Sequence, residues 1–296
     1  MILVIGATGF IGQQLVTQLA QANQHVCCLV RPSPQPRHFA PGIHLHIVSG
    51  DVDDAPALRV AMHQVTAVFY LATSWEETAE ESVEGINVRR AEQLVDAMQE
   101  VGVSRLITFS SIGADSHSAF AYLRSKGQTD EVFARSGLGV TTLQASAVYG
   151  PGDGWTENIA LALRRWPFFF PVPGDGRARL QPLLVNDLVR CALSCLANPK
   201  TAGQTFAVGG PQAMTYDEIV TAVMNATNRR HSRRYMRPAS ALAWSRRLRG
   251  LLGGRQLYTP AEIDLLSVDR TTTLDSVSYQ FGFQPIRMAA ALDYLR

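Results

Sequence analysis

Tyr122 and Lys126, in the stretch AYLRSKG at 121–127, are spaced to work as an acid–base pair. A four-residue step puts both side chains on one face of a helix. An ammonium beside a phenol favours the phenolate, so the tyrosine could exchange a proton with a substrate oxygen. Chance also produces this spacing on any helical turn, and the rest of the chain has to decide between the two. Lys126 and Lys200 are the only lysines among 27 basic residues. A lysine at 126 therefore stands out in a chain that otherwise uses arginine, although composition bias gives the same scarcity.

A second chemical pattern is GATGFIG at 6–12, which follows a short apolar run and opens a helix. In that context Gly6 permits a tight turn, Gly9 lets the backbone approach a pyrophosphate, and Gly12 lets helix and strand pack closely. The helix amino terminus then turns free N–H groups toward the phosphates. Glycines also mark plain turns, but position, flanks and spacing together point to a dinucleotide site. Thr8, Phe10 and Ile11 in the turn, and Ala72 closing TAVFYLA, join the glycines as candidate cofactor contacts.

The second strand settles which dinucleotide is favoured. A carboxylate at its end would grip an adenosine ribose with free hydroxyls, but HVCCLVR ends in Arg31 and no acidic residue occurs between Gly12 and Gly50. Arg31 could stack on adenine and pair with a 2′-phosphate through its forked donors, or it could be a solvated strand end. NADP(H) is favoured, with NAD(H) the alternative. Arg37 could assist from the Pro-rich connection PSPQPRHFAPG. Asp51, after the third strand, could accept from the adenine amino group or hold a surface turn.

The elements needed to position these groups are legible. Apolar runs at MILVIG, HVCCLVR, LHIVSGD, TAVFYLA, SRLITFSS and GVTTLQASAVYG alternate with helical stretches over residues 1–150. Continuous apolar strands separated by helices predict a parallel sheet covered on both faces. The expected fold is α/β, a Rossmann-type doubly wound sheet, with a smaller, mostly helical carboxyl-terminal substrate region at 151–296. That region is partly interleaved: TFAVGG predicts a strand near 205–209 that returns to the main sheet. MTYDEIVTAVMNATN reads as a helix opened by Thr215 and Glu218 at capping-box spacing.

With 296 residues, 46% of them hydrophobic, the chain can bury a sizeable core. Its net charge of +2 conceals an asymmetry: residues 1–150 carry 9 basic and 14 acidic side chains, and residues 151–296 carry 18 and 11. Cys27, Cys28, Cys191 and Cys195 show no metal-ligand spacing, and Cys27 and Cys28 are expected to pack as small hydrophobes. The opening MILVIGATG has no basic leader, and no apolar run reaches spanning length. The expectation is a cytoplasmic protein, or one peripheral on the inner face of a membrane.

GATGFIG, AVFYLA, ITFSS, the Tyr122/Lys126 pair and ASAVYGPGDG at 145–154 together resemble the atypical or extended short-chain dehydrogenase/reductases, including NAD-dependent epimerases and dehydratases. The run PVPGDGRARLQPLLVNDLVRCALSCLANPKTAGQTFAVGGP is similar to the branch related to the 39-kDa accessory subunit of respiratory complex I. The resemblance implies that Tyr122 is the acid/base and that Lys126 holds the nicotinamide ribose while lowering the tyrosine pKa. It also implies a serine assistant from the end of the fifth strand. Ser111 takes that role here, with Ser110 bonding backbone or cofactor, while Ile112 stands where many members place the polar assistant. Gln144-Ala145 replaces an Arg-Pro frequent in the branch, and Ala147, Val148 and Tyr149 keep its apolar wall. The branch contains accessory and assembly proteins as well as enzymes. The implied function is hydride transfer between the nicotinamide and a carbonyl or alcohol, with NADP(H) favoured by Arg31 and an apolar substrate by the aromatic stretch at 164–171. The alternatives are a non-catalytic nucleotide-binding accessory or assembly protein and a sugar-nucleotide epimerase or dehydratase.

Trp155 and RRWPFFFP at 164–171 could line an apolar substrate cleft or form the small region's own core. Asp187 is expected to hold the fold rather than act as an acid. Eight arginines between Arg229 and Arg249, interrupted by ALAW, form a basic stretch. It could be a solvated face, or it could meet an anionic membrane surface or an acidic protein. Trp244, Leu248, Leu251 and Leu252 would add apolar contact only if their face is not already buried, since a helix in a small lobe usually turns its apolar side to the core. No nucleic-acid fold pattern accompanies it, and no nucleic-acid partner is expected.

Overall fold

A computed structural model of the protein describes residues 1–32, 39, 43–74 and 81–296. Arg37 and most of the Pro-rich connection lie outside the described residues.

The amino-terminal half runs β1 (Ile2–Ile5), α1 (Phe10–Gln21), β2 (Val26–Val30), β3 (His46–Ser49), α2 (Ala55–Ala61) and β4 (Ala67–Tyr70). It continues through α3 (Val83–Val101), β5 (Arg105–Ser111), α4 (Ala121–Arg135) and β6 (Gly139–Ala145). After β7 (Val148–Tyr149) and α5 (Trp155–Arg165) come three short strands, β8 (Phe170–Pro173), β9 (Arg179–Leu180) and β10 (Leu183–Leu184). Then α6 (Val185–Ala197) leads to β11 (Gln204–Val208). The chain ends with β12 (Met214–Thr215), α7 (Tyr216–Ala226), β13 (Arg233–Met236), α8 (Pro238–Leu248), α9 (Pro260–Leu265) and α10 (Ser276–Phe281).

Seven strands form one sheet in the order β11-β6-β5-β4-β1-β2-β3. The pairings β1–β2, β1–β4, β2–β3 and β4–β5 are parallel. All four residues of β1 and of β4 are buried, as strands covered on both faces require. The order reverses beside β1, and a doubly wound sheet takes ligands at the carboxyl ends of its strands at such a point. Cys27 and Cys28 are buried as expected, and burial pushes their thiols up to about 11 and about 12.

The chain divides into two compact units, Met1–Gln144 with Val189–Phe206, and Ala145–Leu188 with Ala207–Arg296. Within the first unit the inserted segment is tied in by Arg105. Its guanidinium donates to the Gly139 carbonyl at 2.7 Å, and at 2.8 Å to the Thr141 hydroxyl, the Cys195 carbonyl and the Thr201 hydroxyl.

The second unit has its own core, built from Ile159, Leu163, Phe170, Tyr216, Ile219 and Val223 among others. Thr215 and Glu218 form the expected capping box, and Thr259 and Glu262 form a second one at α9. The carboxyl end is mostly helical, with one strand, Arg233–Met236, that the sequence did not announce. These residues form a strand paired in parallel with Phe170–Pro173, so part of RRHSRRYMRP and part of RRWPFFFP build a two-stranded ribbon. Asp187 holds the fold, accepting from the Ile286 N–H at 2.8 Å.

Candidate functional site

The Gly-rich turn lies where β1 ends. Gly6 has φ +86°, which favours glycine, and a Cβ there would come within 3.0 Å of the Ala72 backbone nitrogen. Gly6 and Ala72, from two neighbouring strands, are thus brought together. A Cβ on Gly12 would sit 2.1 Å from the Gly6 carbonyl oxygen, so α1 packs against the turn only because residue 12 has no side chain. Gly9 is exposed, has ordinary extended φ and ψ, and precedes α1 without a side-chain cap. The first turn of α1 holds no acidic residue. A bare backbone cradle at an uncapped helix amino terminus fits a pyrophosphate.

The two residues proposed for the adenosine end also meet. Arg31 is 72% exposed, and its Nε lies 4.0 Å from Asp51 Oδ2. Asp51 Oδ1 accepts from the Val52 N–H at 2.7 Å, and Oδ2 accepts from Arg90 at 3.4 Å. Arg90 also donates to Asp53 at 2.8 and 2.9 Å, and Arg89 binds both Asp53 and Glu81. Asp51 therefore belongs to an acid–arginine network, and the guanidinium of Arg31 remains largely open to solvent.

On α4, Tyr122 and Lys126 are each half-buried. Lys126 Nζ donates to the Thr73 hydroxyl at 2.8 Å and to the Phe109 carbonyl at 3.0 Å. Thr73 follows β4 and Phe109 lies in β5, so the ammonium is anchored near the carboxyl ends of two adjacent strands. Burial pulls its pKa down to about 8, against a smaller upward pull from Asp130.

Asp130 accepts from the Ser110 hydroxyl at 2.6 Å, and burial raises its carboxyl above the ordinary range. Ser110 thus bonds a carboxylate, where sequence reading expected backbone or cofactor. Ser111 is buried, and its hydroxyl donates to the Ile112 carbonyl at 3.3 Å, a long contact that a better acceptor could displace. Beneath α4, buried Asn87 donates to the Ser125 hydroxyl at 2.8 Å and to the Ser74 carbonyl at 3.1 Å, fixing the helix that carries the pair.

Sequence reading missed Asp130, Thr73 and Asn87. Asp130 lies four residues beyond Lys126 and eight beyond Tyr122, on the same helix face, and that spacing could have revealed it. Thr73 and Asn87 act through tertiary contacts that leave no local signal.

In the second unit, Trp155 and Trp166 pack against the core and Phe170 lies within it, so much of the aromatic stretch serves as core. Phe168 is the exception, at 70% exposed. Tyr149 is fully buried.

A family model described as NAD(P)H-binding matches residues 6–158. The mitochondrial NADH dehydrogenase [ubiquinone] 1 alpha subcomplex subunit 9 of Arabidopsis thaliana is 29% identical over 73% of this chain and 55% of its own length. The chain thus spans little more than half of that relative. The NAD(P)H azoreductase of Xenophilus azovorans is 28% identical, covering 77% of this chain and 74% of the relative. Among solved structures, a nucleoside-diphosphate-sugar epimerase of Staphylococcus aureus has the same fold, with a TM-score of 0.75 at 17% identity over 99% of both chains. The family match spans more than half of the chain and starts in the Gly-rich turn, so the chain belongs to the NAD(P)H-binding family, as an atypical short-chain dehydrogenase/reductase.

Proposed function

We propose that the chain is an oxidoreductase that uses NADP(H) and acts on an apolar carbonyl or alcohol. One observation carries this reading: the ammonium of Lys126 is anchored at 2.8 Å to Thr73 and 3.0 Å to Phe109, one helical turn beyond Tyr122 on α4. A solvated surface lysine would have no such anchoring. When bound, the nicotinamide supplies or accepts the hydride.

The chain's own groups do the rest. The Tyr122 hydroxyl gives a proton to the substrate oxygen during reduction and takes it back during oxidation. Lys126, charged at neutral pH, stabilises the phenolate and orients the ribose hydroxyls through its remaining hydrogen-bonding capacity. Ser111 turns from the Ile112 carbonyl to donate to the substrate oxygen. Arg31 pairs with the 2′-phosphate. Gly6, Thr8, Gly9, Phe10, Ile11, Gly12 and Ala72 shape the backbone cradle. The azoreductase relative supports extending the acceptor range to an aromatic N=N bond.

The test follows NADPH oxidation with a panel of apolar ketones, aldehydes, quinones and azo compounds, comparing wild type with Tyr122→Phe. Proton transfer of this kind contributes a factor of about 10² to 10⁴, so the variant should lose that much kcat while NADPH still binds. Full activity in Tyr122→Phe would remove the tyrosine from the chemistry.

A second reading is a nucleotide-dependent accessory protein. The Ser111 hydroxyl is turned to its neighbour's carbonyl and Ile112 stands in the usual assistant's place, which favours this reading. The complex I relative supports it too. Tight NADPH binding with no turnover on any acceptor would favour it over catalysis.

A further inference from the structure

The second unit carries an exposed aromatic tip set in a field of arginine. Trp166 and Trp244 pack partly against the core with ring centroids 5.6 Å apart. Phe169 meets Trp244 edge-on at 5.4 Å, and Phe168 meets Trp166 edge-on at 5.0 Å. Phe168 is the outermost ring, 70% exposed. The loop bearing it is held by the ribbon, where Phe170 N–H donates to the Ser232 carbonyl at 2.8 Å. The exposed ring is therefore tethered to the ribbon two residues away.

Its surroundings are cationic. The Arg234 guanidinium lies 5.3 Å from the Phe169 ring centre, and that of Arg247 lies 5.9 Å from Trp244. Arg165 donates to the carbonyl of Leu251, which is itself 45% exposed. No Asp or Glu occurs at 158–174 or at 219–261, the two segments that build the patch. The neighbouring acids are occupied, Asp217 by Arg233 at 3.5 Å and Glu157 by Arg255 at 3.4 Å.

The condition set on the apolar residues fails for two of them. Leu248 and Leu252 are buried in the core and cannot meet a partner. Phe168, contributed by a different segment, takes their place.

We infer that this face docks on an anionic lipid surface, Phe168 entering the headgroup–acyl boundary while the surrounding arginines meet the phosphates. An acidic protein would answer the arginines but would need, in addition, an apolar pocket placed in register to receive the phenyl ring. A layer of phosphodiesters over acyl chains answers both within one side-chain length. Among the described residues no helix is long and apolar enough to cross a membrane, so the contact is interfacial.

The full chain is floated with vesicles of phosphatidylcholine alone or mixed with phosphatidylglycerol, at low and physiological salt. Recovery should require the anionic lipid and fall with salt. Phe168→Ser should lower partitioning about tenfold. Arg234→Gln with Arg247→Gln should lower it roughly 25-fold, at about fivefold per surface arginine. Tyr279→Ser, at another exposed ring, should leave it unchanged. NADPH binding by each variant checks its folding. Equal recovery with neutral vesicles, or none with anionic ones, overturns the inference. So does an equal effect of Tyr279→Ser. Binding to immobilised polyglutamate as tight as to vesicles, with Phe168→Ser altering neither, would identify an acidic-protein surface instead.

Discussion

Asp130 accepts a hydrogen bond from Ser110 at 2.6 Å and is the charge that offsets the burial of Lys126. One carboxylate therefore serves both the end of β5 and the lysine. The proposed reaction needs Lys126 protonated, and its pKa of about 8 sets an alkaline limit on activity. Asp130→Asn removes the upward pull, so the alkaline limb of kcat/KM should move to lower pH. A limb that stays in place would separate Asp130 from the lysine and leave it a purely structural contact.

The same lysine affects stability. Its folded pKa of about 8 lies below the ordinary value of 10.5. Between those values the unfolded chain binds more protons than the folded one, so stability rises with pH across that window. Below about pH 8 both states are charged and the burial cost is present in full. Lys126→Met should abolish this rise, seen as equal urea midpoints near neutrality and near pH 10 after subtracting the trend of other groups. A rise of wild-type size in the variant would place its source elsewhere.

Arg31 and Asp51, 4.0 Å apart, make opposite predictions for cofactor choice. Arg31→Ala should weaken NADPH binding by roughly 1.5–3 kcal/mol, the worth of a charge-assisted contact, and barely change NADH. Asp51→Asn removes a negative charge beside the proposed 2′-phosphate and should tighten NADPH alone. If Asp51 instead holds the adenine amino group, Asp51→Asn weakens both nucleotides alike. Fluorescence titration with each nucleotide distinguishes these outcomes.

The glycines of the turn separate folding from binding. Gly12→Ala puts a methyl 2.1 Å from the Gly6 carbonyl and should destabilise the first unit by about 1–3 kcal/mol. Gly9→Ala meets the same carbonyl at 3.3 Å from an exposed position. It should keep the wild-type Tm within a few degrees while losing NADPH affinity, because the methyl occupies the approach to the pyrophosphate. Unchanged affinity would mean that the phosphates lie elsewhere.

Much of the first unit was legible because its signals are local. β1, β2 and β4 are unbroken apolar runs, and GATGFIG marks the turn between β1 and α1. Thr215 and Glu218 announce α7 three residues apart. The ribbon of β8 and β13 was not legible. FPVP contains two prolines and RRYM two arginines, so neither shows alternation, and their register joins Phe170 to Arg233 across a long stretch of chain. Propensity opposes both strands, and only tertiary pairing makes them. The site divides in the same way. Tyr122 and Lys126 are visible as an i, i+4 step. Thr73, which anchors the lysine, and Asn87, which braces α4, belong to other elements and have no signature in the helix.

The four hydrogen bonds of Arg105 also order events during synthesis. Two of its acceptors, Thr141 and Gly139, emerge from the ribosome soon after it, whereas Cys195 and Thr201 follow only after the whole first segment of the second unit, Ala145–Leu188. Until then one arm of a partly buried guanidinium has no native partner. Completion of the first unit therefore requires residues 189–206, and a chain ending at Gln144 would lack two of the four acceptors of Arg105.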